Sequence, residues 1–154
     1  MHKFLLKSVV LPGQGGDRVV DVLIAGNRFA RIGEVPPEES LGAEVVDCSH
    51  FAIFPAFYNG HTHAAMTLLR GYADDMPLQK WLQEYIWPFE AKLTGDDIDV
   101  ACRLALLEMI KSGTVFFADM YWHRERTIKV VEEMGIRAAV GVTFAESLMS
   151  PEAI

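Results

Sequence analysis

Phe57-Tyr58-Asn59-Gly60-His61-Thr62-His63 is the stretch from which the rest of the chain is read. It follows the apolar run Phe51-Ala52-Ile53-Phe54-Pro55 and precedes a Leu-rich segment expected to be helical. Strand side chains alternate with period two, so His61 and His63 project to the same side and can reach one metal ion. On spacing alone, a metal-gripping pair and two solvated loop histidines are equally good readings. Position favours the first, because the pair ends a predicted strand over 57–61, where α/β enzymes place their chemistry.

Downstream, strand and helix patterns alternate. Leu78, Trp81, Leu82, Tyr85 and Ile86 recur at helical spacing, which predicts a helix from Pro77 to about Glu90 that Pro88 ends or kinks. Thr94 with Asp97 reads as a capping box opening a helix that stops at Gly113. Thr114 to Asp119 is a continuous apolar run of the kind buried in a parallel sheet. A helix over 124–134, stopped by Gly135, and a β-branched run over 136–143 complete the pattern. Such alternation argues for βα units. The tail from Phe144 to Ile154 has no clear periodicity.

Upstream the pattern is different. Runs over 3–10, 18–25, 28–33 and 44–48 read as strands separated by turn residues, with Gly26-Asn27 making a tight reversal. Residues 1–56 are therefore expected to form part of a small antiparallel β-unit, and residues 57–154 an α/β unit. The fold class is α/β.

With 51% hydrophobic and 23% charged residues, the chain is globular. A net charge of −7 argues against nucleic acid and anionic membrane as partners. Cys48 and Cys102 lack metal or redox spacing and read as small core residues of a protein from a reducing compartment. No segment reaches the roughly 20 apolar residues of a membrane span, and a cytoplasmic location is expected.

The stretch Pro55-Ala56-Phe57-Tyr58-Asn59-Gly60-His61-Thr62-His63, followed by Met66-Thr67-Leu68-Leu69-Arg70-Gly71-Tyr72-Ala73-Asp74-Asp75, closely resembles the metal-binding opening of the amidohydrolase superfamily. Trp81 to Glu90 and Gly113 to Tyr121 are similar to the branch holding the chlorohydrolases and the 5-methylthioadenosine/S-adenosylhomocysteine deaminases. The likeness runs from about residue 18 to about residue 143. It implies a TIM-type (β/α)₈ barrel with a small β-sandwich. It also implies one divalent metal, usually zinc or iron, that activates a water for attack on a ring or amide-like carbon. The implied substrate is an adenine nucleoside or a related N-heterocycle.

By this resemblance His61 and His63 match the first two metal ligands, and Glu90 matches a contact to ribose hydroxyls. Trp87 would line the base pocket, although a Trp at helical spacing from Trp81 is equally a core residue. Asp119 is expected to orient a neighbouring loop, His123 to open a helix, and Arg70 to pair with Asp74 or Asp75. Two departures stand out: Ala56 replaces the usual Gly after Pro, and Val142 occupies a position where homocysteine-binding deaminases often carry Arg. The latter argues against S-adenosylhomocysteine.

A full barrel takes about 250 residues, against 154 here. The remaining ligands and the general base are thus expected outside this sequence. For the chain as given, weak metal binding and no turnover are expected. The competing expectations are a non-catalytic interaction protein, a homo-oligomer, and a barrel completed by a second segment.

Overall fold

A computed structural model describes residues 2–143, so the aperiodic tail lies outside the described residues. The chain divides into two compact units, Met1–Pro55 and Ala56–Ile154.

In the first unit, strands β1 (Lys3–Leu11), β2 (Arg18–Ala25), β3 (Arg28–Gly33) and β4 (Glu44–Asp47) form one sheet in the order β3-β2-β1-β4. The β1–β2 and β2–β3 pairs are antiparallel, whereas β4 lies parallel to β1. The alternation expected through β1 is interrupted by a bulge between Leu6 and Val9, where Ser8 takes a positive φ of 58°. Asp21 braces the bulge by accepting from the Ser8 N–H and from Lys7 Nζ. The bulge shifts the pleat by one residue, so Leu6 packs with Val9 against Val22 and Cys48.

The second unit carries a parallel sheet, β5-β6-β7, of β5 (Phe57–Thr62), β6 (Thr114–Asp119) and β7 (Arg137–Val140). Helix α3 (Gly95–Lys111) connects β5 to β6, and α4 (Arg124–Met134) connects β6 to β7. The capping box is present: the Thr94 side chain accepts from the Asp97 N–H, and Asp97 accepts in return from the Thr94 N–H at 2.8 Å. Helix α3 buries Ile98, Ala101, Cys102, Ala105 and Leu106, one face at helical spacing, against Phe117 of β6 and Val130 of α4. Both cysteines are buried and unbridged, and burial pushes the Cys102 thiol up to about 11. They are core residues.

Three local expectations are corrected. The segment after the histidine pair is a 3₁₀ turn, Ala64–Leu69. Its small Ala64 and Ala65 pack into the same core as Ala101 and Ala105. The helix expected from Pro77 to about Glu90 spans that range, but Pro88 does not end it, and the distortion is a π turn ahead of the proline: α1 (Leu78–Trp81), the π turn (Leu82–Ile86) and α2 (Trp87–Glu90). The Trp87 N–H reaches back five residues to the Leu82 carbonyl. The wider turn accommodates a proline, which has no N–H to donate and whose ring crowds the preceding turn. Arg70 pairs with Glu108 of α3, Nη2 to Oε2 at 2.6 Å, and not with Asp74 or Asp75.

Candidate active site

Strand β5 ends at Thr62, so His61 is its penultimate residue and His63 the first residue beyond it. Their rings stand with centroids 5.1 Å apart and planes at 77°. That spacing keeps the two imidazoles as neighbours on one side of the strand end. His63 is half-buried, and its Nδ1 lies 2.7 Å from the Met120 carbonyl oxygen. A carbonyl only accepts, so Nδ1 carries a proton, which in the neutral imidazole leaves the lone pair on Nε2. A histidine that ligates a metal is usually fixed in this way through its other nitrogen.

Among the described residues, no group of three or more His, Cys, Asp or Glu side chains is placed to hold a metal ion. The donor chemistry at hand is therefore two imidazoles, one with its ligating nitrogen already oriented. Their donor chemistry fits two of the ligands of a divalent metal, and a catalytic zinc site takes a third protein ligand and a water.

His63 also lines a cleft of about 530 Å³ shared with Met66, Trp81, Trp87, Glu90, Tyr121, Trp122 and Val142. Trp87 and Glu90, assigned by the same resemblance as the histidine pair, open into the same cleft as His63. His61 is not among its lining residues. Val142 stands 50% exposed at the cleft and offers no charge to an anionic substrate tail. His123 opens α4 from the left-handed region, φ 49°, at the helix entry the sequence assigned it.

The Glu90 carboxylate is held on both oxygens. Tyr121 OH donates to Oε1 at 2.7 Å, and Trp122 Nε1–H donates to Oε2 at 3.2 Å. Burial, and then the hydrogen bond to Glu90, push the Tyr121 phenol far above its usual range, so it remains a donor. Each carboxylate oxygen has a second lone-pair direction, which leaves Glu90 able to accept from hydroxyls in the cleft. Tyr121 also lies against the histidine side, its ring centroid 6.1 Å from that of His63.

Asp119, the last residue of β6, is buried at 4% exposure. Its Oδ1 accepts from the Ala64 N–H at 3.0 Å, which matches its expected role of orienting a neighbouring loop. Its Oδ2 is buried with no hydrogen-bond partner among the described residues. Burial raises its pKa above the ordinary carboxylate value, against the pull of Ala64 N–H, His63 and Met120 N–H.

The roles of Met120, Tyr121 and Trp122 escape a reading of the sequence. The one signal available is their place directly after a strand of a βα unit, where such folds build their sites.

Comparison with known proteins places the chain in a family. The model of the Amidohydrolase family matches residues 52–151. A 5'-deoxyadenosine deaminase of Methanococcoides burtonii is 50% identical over 125 residues, covering 81% of this chain and 28% of the relative. A 5-methylthioadenosine/S-adenosylhomocysteine deaminase of Pelotomaculum thermopropionicum is 48% identical over 138 residues, covering 86% of this chain and 32% of the relative. The crystal structure of an adenosine deaminase from Xanthomonas campestris with bound zinc superposes with a TM-score of 0.75 at 28% identity. That match covers 89% of this chain and 33% of that one. The chain spans about a third or less of the length of each.

Proposed function

This chain belongs to the amidohydrolase family, and we propose from that premise that it supplies the opening part of a metal-dependent enzyme that deaminates an adenine nucleoside or related N-heterocycle. The observation that carries the reading is the single cleft joining His63, with its oriented Nε2, to a Glu90 carboxylate held on both oxygens. In this reading residues 57–154 begin a (β/α)₈ barrel and residues 1–56 belong to a small β-sandwich. Support comes from the parallel β5-β6-β7 order and from apolar side chains left exposed on β5 and α3. Phe57 is 61% exposed, Tyr58 72% and Leu107 49%, surfaces that further strands and helices of a barrel would cover.

His61 and His63 are proposed as ligands of one divalent metal, zinc in the first instance. When bound, such an ion supplies the Lewis acidity that brings the pKa of a water towards neutrality. This chain's own residues do the rest of the work assigned to it. His63 keeps its proton on Nδ1, shared with the Met120 carbonyl. Glu90 accepts from substrate hydroxyls, and because Tyr121 and Trp122 fix it beforehand, little ordering remains when substrate binds. Trp87 and Met66 give the cleft an apolar wall on which a flat heterocycle can lie. A location in the cytoplasm and a homo-oligomer or second segment completing the barrel belong to the same proposal; among the described residues no helix is long and apolar enough to cross a membrane.

A substrate panel tests the function. In the intact enzyme that this chain would open, ammonia release is expected from adenosine-type nucleosides, with slower or no reaction on guanine and cytosine. Chloride release from chlorotriazines with no ammonia from any nucleoside would assign the site to dechlorination instead, since both leaving groups yield to the same attack.

A further inference from the structure

His63 opens the 3₁₀ turn Ala64–Leu69 without a capping hydrogen bond from its own side chain. The first N–H of that turn nevertheless has a partner, because Asp119 reaches it across 55 positions of sequence. The next residue, Met120, takes the His63 Nδ1–H on its carbonyl. Consecutive residues at the end of β6 thus grip consecutive residues at the end of β5. The strands are parallel and paired there, Thr62 opposite Asp119, with an irregular register between Asn59 and Thr62. A register irregularity interrupts the ladder locally, and the Asp119 carboxylate takes the Ala64 N–H just beyond it.

We infer that Asp119 is a positioning residue for the histidine pair. By holding the Ala64 N–H it fixes the backbone directly after His63, so that Nδ1–H meets the Met120 carbonyl and Nε2 is presented as the lone-pair nitrogen. Asp119 is not itself assigned as a ligand. Its second oxygen, Oδ2, is buried without a partner among the described residues. An apolar side chain would fill that space without a desolvated oxygen, so packing alone does not account for a carboxylate there. The same main-chain arrangement is reinforced from just beyond β7, where the Gly141 N–H donates to the Asp119 carbonyl at 2.8 Å. The connection to a metal rests on the function proposed above, whereas the tautomer of His63 does not.

The test reads the His63 tautomer by long-range proton–nitrogen correlation in the metal-stripped protein, and zinc affinity by competition with a chelator. The wild type is expected to show the Nδ1–H form. Asp119→Ala should mix the tautomers and weaken zinc binding by about 10–100-fold, the usual effect of losing a residue that orients a ligand. Asp119→Asn keeps an acceptor oxygen for Ala64 and should retain both the tautomer and the affinity. The inference is overturned by an Nε2–H tautomer in the wild type, by Asp119→Ala leaving tautomer and affinity unchanged, or by Asp119→Asn losing as much as Asp119→Ala. Should Asp119→Ala not fold, the wild-type tautomer and the Asp119→Asn comparison still decide. A wild type that shows the Nδ1–H form and its loss in Asp119→Ala, yet binds no zinc, supports the positioning role and removes the metal from the proposed function.

Discussion

His63 and Glu90 face one cleft from opposite supports. His63 is held at its ring by a main-chain acceptor, the Met120 carbonyl, while the backbone beyond it is tied down at Ala64 by the Asp119 carboxylate. Glu90 is held by side chains, the Tyr121 hydroxyl and the Trp122 indole. Main-chain support is indifferent to which residue stands at position 120. Side-chain support changes whenever residue 121 or 122 changes. Under the proposed function, substitutions at 121 or 122 alter the substrate side while leaving the Met120 carbonyl contact to His63 in place. Both supports come from one continuous segment, Asp119 to Trp122, at the end of β6.

Substitutions can break this contrast, and the largest effect is expected at His63. His63→Ala removes a proposed ligand, and its loss of metal affinity should exceed the roughly 100-fold reached by outer residues alone; equilibrium dialysis against zinc checks it. Tyr121→Phe removes a hydrogen bond to a charged group, worth about 1.5–3 kcal/mol. It should appear as KM raised roughly tenfold for a hydroxyl-bearing nucleoside, with metal affinity unchanged. If zinc affinity falls with it, the two supports are not separable. Trp122→Phe removes a longer, weaker bond worth about 1 kcal/mol, so a several-fold rise in KM is expected in the same assay.

The smallest effect lies outside the cleft. Hydrogen bonds from the Thr94 side chain, then its backbone N–H, hold Asp97 below its ordinary value of 3.8. A carboxylate with a depressed folded-state pKa contributes stability above the unfolded value and loses it as pH falls through the folded one. Asp97→Asn should therefore lower the thermal midpoint at neutral pH slightly, and the gap to wild type should close as pH falls below about 4. Neither change should touch the cleft.

What the sequence revealed and what it hid differ by distance along the chain. The Thr94–Asp97 capping box is a three-residue relation, and Gly135 closes α4 at φ 73° one residue beyond it; both are visible in local residue types. The strand-and-helix alternation that yields β5-α3-β6-α4-β7 follows from hydrophobic period, and the histidine pair from period two. Glu90 with Tyr121, Asp119 with Ala64 and Arg70 with Glu108 span 31, 55 and 38 positions. No local pattern encodes those partners, which is why Arg70 was assigned to nearby aspartates. The π turn before Pro88 was missed for a different reason, since a proline in a helical pattern is ordinarily a stop, and a wider turn is the rarer solution.

The central claim is that the end of β5 carries metal ligands. Metal analysis of the purified intact protein beside His61→Ala, with ammonia release from an adenosine-type nucleoside followed on the same samples, tests it most directly. The account predicts bound divalent metal and turnover in the wild type and the loss of both together in His61→Ala. Full metal content and full ammonia release in His61→Ala would contradict it.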